Sequence, residues 1–244
     1  MRRLAALLLP AALWSAALPA AAGPLGPGAS DAIAALGARA AREAREATAD
    51  TGLRVADCDD SYPFDLAQVP GNTDVLRRFD PARSWGTVPM VDLLLHATGT
   101  IAARYPHADP VLIGDLSRAR GGALPPHRWH HDGRSADVGL FRHGGRQPRV
   151  GFERVWPSQL DVERTWALIE AMLATGYVEH ILLDEGLIRR LKAYVREEGL
   201  LTPEQIRATF PAKGTPKMWR MRGILRHAPH HGDHMHVRVA CEPG

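Results

Sequence analysis

The 12 histidines of this 244-residue chain are not scattered. Three stand at 127, 130 and 131, and five at 227, 230, 231, 234 and 236. About a hundred residues separate the two groups, and each abuts a segment with strand character. Ala136–Phe141 reads as a strand with Asp137, Gly139 and Phe141 on one face and Ala136, Val138 and Leu140 on the other. Met235–Ala240 reads as a second, with His236, Arg238 and Ala240 on one side. If this strand begins by His234, then His234 and His236 leave the same face with Cα atoms ~6–7 Å apart. His130 and Asp137 flank the turn His131-Asp132-Gly133-Arg134-Ser135, which Gly133 allows to be tight. A fold that makes the two strands neighbours can gather two imidazoles and a carboxylate, and a fourth position left to water suits catalytic zinc. Both histidines of the His-x-His pair can be ligands, or one can hold the metal while the other moves a proton. The alternative is that the histidines are solvated loop residues and Asp137 only accepts hydrogen bonds from its turn. The helical zinc motif His-Glu-x-x-His is absent, as are a Gly-x-Ser-x-Gly elbow and a standard phosphate loop.

The surrounding chain predicts an α+β domain, with a small antiparallel sheet carrying the zinc site between helices and long loops. Helices are expected over 91–104, from Asp161 to Gly176, over 186–198 and from Thr202, a capping-box candidate. Short strands are expected at 111–113 and 181–183, whereas 59–89, with its Pro and Gly residues, reads as loop. Strands and helices do not alternate regularly, which argues against a doubly wound sheet. Residues 51–244 form the expected catalytic domain, and residues 23–50 an Ala-rich arm, helical or partly disordered.

Residues 1–22 have the order of a secretory leader: Arg2 and Arg3, an apolar run from Leu4 to Leu18, then Ala20-Ala21-Ala22. The mature product is expected outside the cytoplasm, with no stable membrane insertion once the leader is cut. Removing Arg2 and Arg3 takes the formal charge of +3 close to neutral, and no basic run with interleaved aromatics occurs. Nucleic-acid binding is therefore not expected. Two cysteines exclude a disulfide-dense scaffold and a Cys-only zinc site, and an oxidising compartment permits Cys58 and Cys241 to pair. Two buried thiols are the alternative. The composition leaves the oligomeric state open.

Three segments resemble the penicillin-insensitive murein endopeptidases, a family of exported bacterial zinc peptidases. They are Ile113-Gly114-Asp115-Leu116-Ser117 with Gly121-Gly122; His127-Arg128-Trp129-His130 with Gly133 and Ala136-Asp137-Val138; and Gly232-Asp233-His234-Met235-His236-Val237-Arg238-Val239. The likeness runs from about Asp59 to the end. His-x6-Asp with a late His-x-His is also the pattern of a wider clan that includes D-Ala-D-Ala carboxypeptidases. The resemblance implies His130, Asp137 and His236 as zinc ligands and His234 as the active-site histidine beside the metal. It implies His127 and His231 as further active-site histidines, and a Cys58–Cys241 disulfide tying the two ends. Its implied reaction is hydrolysis of D-alanyl–meso-diaminopimelate cross-links in periplasmic peptidoglycan. A D,D-carboxypeptidase or dipeptidase of the clan, or a non-catalytic cell-wall protein, is the alternative. This chain departs from the family in having only two cysteines, and in Ser135, where the family has an acidic residue two positions before the metal-binding Asp.

Overall fold

The computed structural model describes residues 66–127, 129–144, 147–148, 151–210 and 223–240. The leader, the 23–50 arm, Cys58 and Cys241 lie outside the described residues. In chain order the elements are β1 (Leu66–Gln68), β2 (Leu76–Arg78), β3 (Trp85–Thr87), α1 (Val88–Arg104), β4 (Val111–Ile113), β5 (Ser135–Gly139), α2 (Val162–Ala174), β6 (Val178–Leu183), α3 (Glu185–Glu197), α4 (Pro203–Thr209), β7 (Leu225–His227) and β8 (His234–Val239). The fold is α+β, as the sequence predicts.

Local chemistry explains the helix boundaries. Asp161 and Asp184 accept hydrogen bonds from the backbone N–H groups of Arg164 and Gly186, capping α2 and α3. Thr202 and Gln205 form a reciprocal capping box on α4. α1 begins three residues earlier than expected because Pro89 occupies its first turn, where a missing N–H costs nothing. It stops before Pro106, whose ring disfavours helical backbone in the preceding residue.

β2, β4, β5, β8, β6 and β7 form one six-stranded sheet in that order. Its middle, β4-β5-β8-β6, is antiparallel, while the outer pairs β2-β4 and β6-β7 are parallel. The candidate site therefore lies on the antiparallel centre of a larger mixed sheet. The small antiparallel sheet, β1-β3, is a separate two-stranded ribbon. The span expected to be loop contains β1, β2 and β3, and β7 was not anticipated either. At three residues each these strands are too short to carry an alternation signal, and pairing with distant partners makes them strands.

One face of the sheet is apolar. Ala136, Val138, Ile181, Leu183, Met235, Val237 and Val239 have 0% exposure and join the main core. α1 and α2 pack on each other, and α1 reaches β8. Alternate residues point the other way. There Asp137 sits directly across from His236, and Gly139 from His234. Leu112 and Leu182 are buried but lie outside the main apolar cluster. The turn before β5 closes tightly against β3: the Thr87 N–H donates to the Gly133 carbonyl at 2.9 Å. Gly133 has φ 73°, and a Cβ there would stand 2.5 Å from Leu66 Cδ2.

Candidate metal centre

The register of β5 on β8 decides the site. Asp137 and His236 are Cα partners on adjacent central strands, and both are buried. Their side chains share one face, and His236 Nδ1 lies 3.0 Å from Asp137 Oδ1. His130 comes from the loop before the turn, with Nε2 3.1 Å from the same oxygen. His234 Nε2 is 3.5 Å from it. Two ligand atoms held at zinc bond lengths in a tetrahedron stand about 3.3 Å apart, so each of these imidazole nitrogens stands at a ligand-like distance from the Asp137 oxygen.

His130 tests the fit. Its Nδ1 is 3.1 Å from the Leu116 carbonyl oxygen, which can only accept, so Nδ1 carries a proton. Nε2 of the same ring points at a carboxylate oxygen 3.1 Å away, and this buried atom has no hydrogen-bond partner among the described residues. Two acceptors so placed repel each other unless a proton or a metal cation lies between them. A carbonyl behind the ring is also the usual support for a metal-binding histidine. His236 meets the same carboxylate through Nδ1, and its other nitrogen, Nε2, is buried without a hydrogen-bond partner among the described residues.

His127 is the other close donor. His127, His130 and Asp137 can each offer an atom within 4.8 Å of the others, a group able to hold a metal ion. His127 is a loop residue with a one-third exposed side chain, and its Nε2 is 3.3 Å from Asp115 Oδ2. Asp115 is also held by Arg83 at 2.7 Å. His231 closes the rim: its Nδ1 donates to the Pro229 carbonyl at 2.8 Å, and its ring lies 5.1 Å from that of His234. The structure thus gathers His127, His130, Asp137, His231, His234 and His236 into one cluster. His230 stays exposed on its turn, and His227 lies half-buried on β7.

Electrostatics follows from this packing. Burial pushes the Asp137 carboxyl up, but the surrounding imidazoles outweigh it and hold the group well below the usual carboxylate range. Burial holds His236 down at about 4 in spite of Asp137, so the ring is neutral, the form that binds metal. Burial lowers His231 as well. For His234 burial acts in the same direction, yet the hydrogen bond to Asp233 and the charge of Asp137 raise it overall.

Several supporting residues escaped the sequence analysis. Arg238, buried on β8 two residues beyond His236, pairs with Asp132 at 2.7 Å and donates to Ser135 Oγ at 2.9 Å. Arg134 reaches the same Asp132 carboxylate at 3.0 Å. Burial raises Asp132, but these guanidinium groups hold it below its ordinary range. The His130 turn and β8 are thereby clamped together. Asp233 neighbours His234 in sequence and could have been flagged by that adjacency. Asp132, Arg238 and the ring of Phe152 become neighbours of the site only through the fold.

No protein-family model matches the chain, and no curated protein matches it. Among the described residues no helix is long and apolar enough to cross a membrane.

Proposed function

We propose that the chain is an exported zinc metallo-endopeptidase that hydrolyses peptide cross-links of peptidoglycan in the periplasm. The observation that carries the reading is the meeting of His130 Nε2 and His236 Nδ1 on one oxygen of Asp137, with His234 beside them. The donor set, imidazoles and a carboxylate, suits zinc. Two triads share His130 and Asp137. His236 is favoured as the third ligand because it is buried on a central strand opposite Asp137, whereas His127 is one-third exposed and engaged by Asp115.

Bound zinc supplies Lewis acidity toward a peptide carbonyl and toward water. The remaining work falls to side chains. His234 has its Nδ1 committed to Asp233, so Nε2 is the atom that takes up and returns a proton. His127 and His231 stand on the rim, where they contact substrate or shape its entry. The choice of D-alanyl–meso-diaminopimelate bonds rests on the likeness of the three quoted segments to the murein endopeptidases.

The test is direct. Zinc-loaded mature protein should release monomers from cross-linked muropeptide dimers, lose this activity with a chelator, and regain it with added zinc. Cleavage of uncross-linked pentapeptide instead of dimers would reassign the chain to the carboxypeptidase branch of the clan. A folded, metal-replete sample that cleaves neither would refute the peptidase reading.

A further inference from the structure

Resting on the reading of His234 as the proton-handling group, we infer that Asp233 and Phe152 are its positioning residues: Asp233 holds Nδ1 by a hydrogen bond, Phe152 fixes the ring plane, and Nε2 is turned toward Asp137. The hydrogen bond from His234 Nδ1 to Asp233 Oδ1 is 2.7 Å long. A carboxylate only accepts, so it selects the tautomer with Nδ1 protonated. The backbone just before the pair is pinned on two sides. The Asp184 N–H donates to the His231 carbonyl at 2.8 Å, and the Val155 N–H to the Gly232 carbonyl at 2.7 Å. Asp233 is therefore placed by two anchored neighbours and not by a free loop.

Phe152 stacks on His234 with ring centroids 5.0 Å apart and planes 23° from parallel. Its own seat is built by glycines. A Cβ at Gly114 would come within 2.7 Å of Phe152 Cε2, and one at Gly139 within 3.5 Å of Cε1. Phe79 meets it edge-on at 4.8 Å. The imidazole is thus held by a hydrogen bond at one nitrogen and by a stacked ring across its face. Of its two nitrogens only Nε2 faces the Asp137 oxygen, at 3.5 Å.

The experiment uses the zinc-loaded full chain labelled with 15N-histidine, and long-range 1H–15N correlations read the tautomer of His234, assigned by its loss in His234→Gln. At a pH where the ring is neutral, the wild type should show the tautomer protonated on Nδ1. In Asp233→Asn the amide can donate to Nδ1, and the ring should move toward the other tautomer, as it does when an amide replaces the carboxylate behind a catalytic histidine. Zinc content should remain at the wild-type level, while kcat on cross-linked dimers falls by about 100-fold or more with KM within about twofold. Phe152→Leu should keep the tautomer and zinc but lower kcat by about 10-fold, because the ring plane alone is freed. A neutral wild-type His234 with its proton on Nε2, an unchanged tautomer in Asp233→Asn, or loss of zinc from that variant would overturn the assignment. The tautomer measurement needs no substrate. A chain that shows the expected tautomers yet cleaves no muropeptide would refute the peptidase reading and leave the Asp233 assignment standing.

Discussion

β5 and β8 present two faces built from alternate residues of the same segments, and the faces are stabilised by different physics. On one, Ala136, Val138, Met235 and Val237 are apolar, fully buried and packed into the core. On the other, Asp137, His236 and Arg238 are almost as deeply buried, at 3–4% exposure, and every one is polar. The apolar face satisfies itself by excluding water. The polar face depends on specific partners, and where the protein supplies none, as at His130 Nε2, a ligand is called for. A strand's period of two therefore lets one segment serve as core and as site without compromise between them.

Breaking the polar face should have the largest effect. Asp137→Ala removes the oxygen on which three imidazoles converge, and zinc affinity should fall by more than about 100-fold, read by equilibrium dialysis. Next is the clamp beside the site. Arg238→Met leaves the buried Asp132 facing only Arg134 and should cost about 3–5 kcal/mol in denaturant unfolding. Adding Asp132→Asn should recover part of that loss, the signature of a coupled pair. The apolar face should respond differently. Leu183→Ala should destabilise by about 2–5 kcal/mol while the folded fraction keeps wild-type zinc affinity. The smallest effect sharpens the boundary between the faces. Gly139→Ala would place a Cβ 2.9 Å from that of Leu112. About 1–3 kcal/mol of overpacking is expected, with a loss of activity larger than the stability change alone explains, because Phe152 shares that space.

Much of this division was legible before the fold was known. The alternation in 136–141 and 235–240 placed Asp137 and His236 off the core, and Asp161 and Thr202 marked two helix starts through side-chain chemistry that acts within three residues. Of the three-residue strands, β1, β2, β3 and β7 were not legible, since what makes them strands is a partner elsewhere in the chain. The same holds for the supporting network. Arg83 meets Asp115 across 32 residues, and Arg238 meets Asp132 across 106. No local pattern encodes such pairs. Two clusters of histidine announced a site, and the resemblance already implied His236 over His127 as the third ligand; the physical grounds for that choice, burial and register, come only with the fold.

That choice is the central claim, and metal stoichiometry tests it most directly. Zinc should be measured after dialysis of the wild type and of the His236→Ala, His127→Ala and His234→Ala variants, each checked for folding by circular dichroism. One equivalent is expected in the wild type, close to one in His127→Ala and His234→Ala, and close to none in His236→Ala. A folded His236→Ala that keeps its zinc while His127→Ala loses it would contradict the account and move the third ligand from the central strand to the loop.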